Sequence, residues 1–183
     1  MKYCSHCANE LNFTTPVGDN RPRFVCPACN TIFYQNPRIV AGTLPVHNGQ
    51  VLLCRRAIEP RRGFWTLPAG FMENGESTEQ AALRETLEEA QATVELQSLF
   101  SMITVPHIDQ VHIFFLAALP EAEFGAGEES LEVALFKEED IPWQELAFPT
   151  VSQTLKRYFA DRSVQQNTHV FDIQPHQALP KEH

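Results

Sequence analysis

The chain has 183 residues, 43% of them hydrophobic, and 23 acidic against 14 basic side chains give it a formal net charge of −9. That length holds one small module plus a domain of about 130 to 140 residues, and the acidic balance argues against general binding to nucleic acid or a membrane surface, which calls for a basic face. No apolar leader opens the chain, no run is long enough to cross a bilayer, and the five cysteines point to a reducing, cytoplasmic setting.

The first element is a pair of C-x-x-C knuckles, Cys4-Ser5-His6-Cys7 and Cys26-Pro27-Ala28-Cys29, separated by residues 8 to 25. That spacing suits a four-cysteine zinc site. Four thiolates close the tetrahedron around Zn²⁺ and leave no position for substrate, so the expected role is structural. Pro27 and Asn30 suit the tight turn of a knuckle. His6, between two ligands, is the alternative to one of the cysteines. A redox dithiol predicts one such motif near a βαβ unit, not two. The module is expected over 1–34. Its surroundings carry few basic residues (Lys2, Arg21, Arg23 and Arg38), which speaks against nucleic-acid binding there.

Asn36-Pro37 marks a break. A domain expected over 35–162 follows. Residues 39–46 read as a strand, Asn48-Gly49 as a hairpin tip and 50–55 as the returning strand. Cys54 lies in that strand as a buried free thiol. Arg55, Arg56, Arg61 and Arg62 form a basic loop, and 64–70 carries Trp65 and Pro68. A helix starts at Ser77, whose capping box is completed by Gln80. Ala81, Ala82, Leu83, Leu87 and Ala90 are its expected apolar side. Strands are expected at 94–100, 111–119 and 131–136, with an acidic, Gly-containing loop at 122–130. A second helix is expected over 149–162, with Leu155, Tyr158 and Phe159 as its core stripe. The tail, 163–183, is polar apart from Val170, Phe171 and Ile173. The alternatives for it are loose order or packing against another subunit. Strands flanking helices in this order fit an α/β sandwich with a mixed sheet.

The most informative stretch is Gly70 to Ala92. Glu85 shares a helix face with Glu88 and Glu89, three and four residues on, although like charges at that spacing cost a bare helix a few tenths of a kcal/mol per pair. Such a face makes sense around a hard divalent cation, Mg²⁺ or Mn²⁺, which in turn grips phosphates. The spacing of Gly70, Glu76, Arg84-Glu85 and Glu88-Glu89 resembles the signature of the Nudix family, departing from it at Gln91, where the family usually has Gly.

The resemblance implies the Nudix α/β/α sandwich and metal-dependent hydrolysis of a nucleoside diphosphate linked to another moiety. It assigns Glu85, Glu88 and Glu89 to the metals, with a backbone carbonyl of Ala69 or Gly70. Arg84 and Glu76 are expected to orient those carboxylates. A further acid is sought later in the chain, Glu132 first and Glu129 second, with Glu85 the rival for general base. Zinc knuckles plus this signature also resemble NADH pyrophosphatases, but 101–110 lacks their SQPWPFP-type motif. The runs 34–37, 51–54, 67–71, 129–132 and 146–148 look like the FAD pyrophosphatases of plant chloroplasts within the family. This implies cleavage of FAD to FMN and AMP, with ADP-ribose or NADH as alternative substrates and a non-catalytic nucleotide-binding regulator as the rival class. Family members that carry the knuckles pair, so a homodimer is the expected assembly. Candidate substrate contacts are Trp65 with Phe64 for stacking, the basic loop beginning at Arg55 for the diphosphate, and Gln110 with His107 at the cleft.

Overall fold

The computed structural model describes residues 1–161 and 167–174. The chain forms two compact units, Met1–Pro37 and Arg38–His183.

The first unit is a three-stranded antiparallel sheet in the order β1 (Asn12–Thr14), β2 (Arg23–Val25), β3 (Ile32–Phe33). Phe13, Phe24 and Phe33 stand in one cross-strand row. The two knuckles are built alike. Ala8 N–H donates to Cys4 O and Asn30 N–H to Cys26 O, each at 2.9 Å. Ala8 and Asn30 turn left-handed, with φ of 60° and 58°, to close them.

The second unit runs β4 (Arg38–His47), β5 (Gln50–Arg56), β6 (Trp65–Thr66), β7 (Ala69–Phe71), α1 (Thr78–Ala90), β8 (Glu95–Val105), β9 (Gln110–Ala118), β10 (Ser130–Phe136), α2 (Pro149–Asp161) and β11 (His169–Asp172). Its eight-stranded sheet has the order β10-β5-β4-β9-β8-β11. The β4–β9 and β8–β11 pairs are parallel and the others antiparallel, so the sheet is mixed.

β4 and β5 stay paired only beside their turn, at Val46–Val51 and His47–Gln50. Beyond it they splay, and the β6–β7 run fills the gap: β6 pairs with β5, then β7 with β4. Gly42 permits this. A Cβ there would stand 2.3 Å from both Pro68 O and Ala69 Cβ, while Thr43 N–H donates to Pro68 O at 3.1 Å.

The two helices cover opposite faces. Val151, Leu155, Tyr158 and Phe159 of α2 join Leu44, Leu53, Phe100 and Phe114 in the larger core. Ala81 and Ala82 of α1 pack on Ala41 and Phe115. The expected apolar side of α1 needs correction, because Leu83 and Leu87 are exposed. Small residues let this helix approach the sheet, and the Thr86 hydroxyl meets that of Thr43 at 2.6 Å. The tail contributes a strand to its own domain. Val170 pairs with Met102, and Ile173 is buried in the larger core. Residues 162–166 and 175–183, which hold the rest of the expected tail, lie outside the described residues. Among the described residues no helix is long and apolar enough to cross a membrane.

Candidate active site

The site starts with the local chemistry that sets α1. Ser77 Oγ accepts from Gln80 N–H, and the Gln80 side chain accepts from Ser77 N–H, so two orphan donors are satisfied reciprocally. At the other end Gln91 takes the left-handed conformation the family usually gives to Gly, φ 48° and ψ 31°. Its N–H still reaches Leu87 O at 2.9 Å, at the modest cost of a non-glycine residue in that region.

α1 lies across β7, and the contact depends on Gly70. A Cβ there would come within 2.3 Å of the Glu85 carboxylate. Beside it Ala69 N–H donates to Glu89 Oε2 at 3.1 Å. Glu89 is only 6% exposed. Burial pushes its pKa up to about 8, against the opposing Ala69 N–H. Glu85 is also raised, first by burial, with Arg84 pulling the other way.

Arg84 ties the cluster together. It grips Glu76 bidentately, Nε to Oε2 at 3.1 Å and Nη2 to Oε1 at 2.8 Å. Its Nη1 donates to Glu85 at 2.7 Å and to Glu88 at 3.0 Å, and its Nη2 to Phe71 O at 3.2 Å. A guanidinium committed to so many acceptors positions carboxylates and has no donor left for a phosphate.

The acidic loop closes over the end of α1. Gly125 N–H donates to Ala90 O at 2.8 Å and Gly127 N–H to Glu89 O at 3.1 Å. Glycine is required at 127, since a Cβ would stand 1.7 Å from Glu88 O. These two bonds cap α1 and bring Glu128 and Glu129 to the wall of the same cavity.

That cavity, about 1160 Å³, is lined entirely by residues of the second unit. Glu85, Glu88, Glu89, Ala69 and Gly70 line it, with Arg38 and Arg56 as flanking cations and Phe71 and Phe148 as aromatic walls. Gln110 and His107 line it too. The residues fit a hard divalent cation on two counts. A nearly buried carboxylate, Glu89, has one backbone donor as its hydrogen-bond partner. The bare Gly70 backbone leaves room for oxygen donors to converge.

Four expected site residues lie elsewhere. Trp65 is in the core, edge-on to Phe136 with centroids 4.9 Å apart. Arg55 donates to Gly63 O and pairs with Glu132 at 3.5 Å, away from the cavity lining. Successive strand side chains point opposite ways, so Arg56 rather than Arg55 enters the cavity. The same logic removes Glu132. A register shift between Ser130 and Glu132 sets Glu132 opposite Arg55, and the acids this segment leaves at the cavity are Glu128 and Glu129. Phe64 meets Arg61, at 5.2 Å, rather than the cavity.

In the first unit the four knuckle cysteines place their sulfurs within 4.8 Å of one another. His6 is not part of that cluster; its Nδ1 lies 3.4 Å from Thr31 Oγ1, which in turn contacts Cys29 Sγ at 3.1 Å. The Thr31 hydroxyl beside Cys29 is the largest influence holding that thiol down, at about 6.

Comparison with known proteins agrees with this geometry. Residues 36–159 match the NUDIX domain family, and residues 2–35 match the zinc-ribbon family described as Nudix N-terminal. An ADP-ribose pyrophosphatase of Methanocaldococcus jannaschii is 29% identical over 63% of this chain and 69% of its own length. The NAD-capped RNA hydrolase NudC of Chromobacterium violaceum is 31% identical over 73% of this chain, which spans 48% of that relative's length. The crystal structure of a NUDIX hydrolase from Nitrosomonas europaea covers 94% of this chain and 99% of its own, at 50% identity and a TM-score of 0.91. With the domain match spanning most of its length and the carboxylate helix folded over its glycine, the chain belongs to the Nudix family of hydrolases.

Proposed function

We propose that the protein hydrolyses the pyrophosphate bond of a dinucleotide-type nucleoside diphosphate derivative, FAD first, giving FMN and AMP. The observation that carries the hydrolytic reading is the cluster of carboxylate oxygens of buried Glu89 and half-buried Glu85 over Gly70, at the wall of a cavity about 1160 Å³ in volume. ADP-ribose and NADH are the alternative substrates. The names of the relatives support them, since one is an ADP-ribose pyrophosphatase and another an NAD-capped RNA hydrolase. FAD is favoured by the resemblance of 34–37, 51–54, 67–71, 129–132 and 146–148 to flavin-dinucleotide pyrophosphatases.

Glu85, Glu88 and Glu89, with a carbonyl of Ala69 or Gly70, would hold Mg²⁺ or Mn²⁺, which supplies charge neutralisation at the phosphorus under attack. Arg84 keeps Glu85 and Glu88 aimed, and the Ala69 N–H orients Glu89. Arg38 and Arg56 offer cationic anchors for the diphosphate. Glu129 takes the place expected for Glu132, as the acid that accepts the proton of the attacking water. In the first unit Cys4, Cys7, Cys26 and Cys29 would hold one Zn²⁺ as a structural ion.

Turnover of FAD, NADH and ADP-ribose, side by side with Mg²⁺ or Mn²⁺, tests the reading. FMN plus AMP at the highest kcat/KM is the expected result. Cleavage of ADP-ribose or NADH alone would leave the chemistry and remove the flavin assignment. Binding without turnover would make the protein a nucleotide-binding regulator.

A further inference from the structure

The register of the sheet assembles a second feature beside the carboxylates. Phe71 on β7, Val40 on β4 and His112 on β9 are successive cross-strand partners, and all three line the cavity. Two residues along, on the same face by the period of the strand, Arg38 and Gln110 are partners in turn and line it too. The Arg38 guanidinium sits 4.6 Å from the centroid of the Phe71 ring, which is 46% exposed. The result is a flat floor, aromatic at one side, with polar groups at its rim.

The Arg38 and Gln110 edge of this floor is rich in donors. His112 is buried, and burial lowers its pKa to about 4, so the ring is neutral at ordinary pH. Its Nε2–H donates to Gln110 Oε1 at 2.9 Å. With that oxygen turned to His112, the Gln110 amide has both N–H donors of its NH₂ group to offer. Arg38 likewise carries donors and no acceptor. A flat ring bearing carbonyl oxygens at its edge fits such a floor, whereas an exocyclic amine there would face donor against donor.

We propose that Phe71, Val40 and His112, with Arg38 and Gln110 at the rim, form the subsite for a flat, carbonyl-bearing ring on the half of the substrate beyond the diphosphate. His112 is the positioning residue that sets the Gln110 amide. This rests on the pyrophosphatase reading above, and it predicts selection for a ring-ended substrate over a sugar-ended one.

The test compares the unsubstituted protein with Gln110→Glu, His112→Phe and His112→Gln, using FAD, NADH and ADP-ribose. Gln110→Glu replaces the donors by an acceptor. It is expected to raise KM for FAD by about 10- to 100-fold with little change in kcat, so that preference over ADP-ribose falls by a similar factor. His112→Phe keeps a flat ring without the N–H and is expected to lose part of that preference. His112→Gln, which retains a donor, restores most of it. Equal losses for all three substrates, or a loss in kcat alone, would overturn the subsite. Quenching of FMN fluorescence by the protein reads the subsite without turnover. Quenching by the unsubstituted protein that Gln110→Glu abolishes supports it even if no substrate is cleaved, an outcome that would sink only the pyrophosphatase reading. Absence of FMN binding by the unsubstituted protein overturns it.

Discussion

The Glu85 carboxylate occupies the space that a side chain on residue 70 would take: a Cβ on Gly70 would stand 2.3 Å from it. The obstructing group is the far end of a flexible side chain, so Gly70→Ala is expected to cost little in folding, about 1 kcal/mol or less. It displaces a metal-holding carboxylate instead. Activity should fall by about 100-fold or more, with weaker Mn²⁺ binding and an almost unchanged Tm.

Gly42 gives the opposite balance. There the obstructing atoms are Pro68 O and the Ala69 backbone and Cβ, which cannot step aside without opening the wedge between β4 and β5. Gly42→Ala should destabilise by about 1 to 3 kcal/mol, read as a lower denaturation midpoint at unchanged m-value.

Glu89 makes the metal-free protein sensitive to pH. Its folded pKa, about 8, lies above the ordinary 4.5. The stability it contributes is therefore complete below pH 4.5 and lost as pH rises through 8. His112 acts in the opposite sense. Its folded pKa, about 4, lies below the ordinary 6.5, so its contribution is present above 6.5 and lost as pH falls through 4. Between 4.5 and 6.5 the two oppose each other, and above 6.5 His112 no longer offsets Glu89. Melting curves in EDTA should show stability falling from pH 6.5 to 8. Glu89→Gln should flatten that limb and expose the His112 slope below 6.5, and Mn²⁺ should offset the loss at pH 8. A metal-free protein with no such limb would contradict the buried-carboxylate assignment.

Glu129 and Glu132 are separated by one experiment. Glu129→Gln is expected to lower kcat by about 10²- to 10⁴-fold, the range for general acid–base groups. Glu132→Gln removes only a half-exposed pair with Arg55 at 3.5 Å, worth little at a surface, and should stay within about twofold of the unsubstituted protein. The reverse ranking would return the role to Glu132.

For the knuckles, metal analysis should find one zinc per chain. Cys26 is fully buried in its cluster, and Cys26→Ser is expected to release the ion and open residues 1–37 to protease, because binding energy at such sites is folding energy. Full protease resistance without zinc would show that this unit folds without its ion.

Much of this was legible in the sequence because it depends on spacing along one element. Glu85, Glu88 and Glu89 share a face wherever residues 78–90 are helical, Ser77 and Gln80 cap that helix from three residues apart, and each C-x-x-C knuckle closes on itself. What depends on partners distant in the chain was decided by the tertiary structure. Arg56 enters the cavity and Arg55 does not because the phase of β5 is set by its neighbours β6 and β10. The register shift before Glu132 hands the cavity to Glu129. Trp65 goes to the core because the splayed hairpin draws its strand inside, and Val170 and Phe171 become a strand because β8 offers a free edge for parallel pairing. A helix periodicity or a knuckle carries its geometry in local backbone preferences, whereas the face a strand residue shows is set by a pairing register that its own neighbours in sequence do not encode.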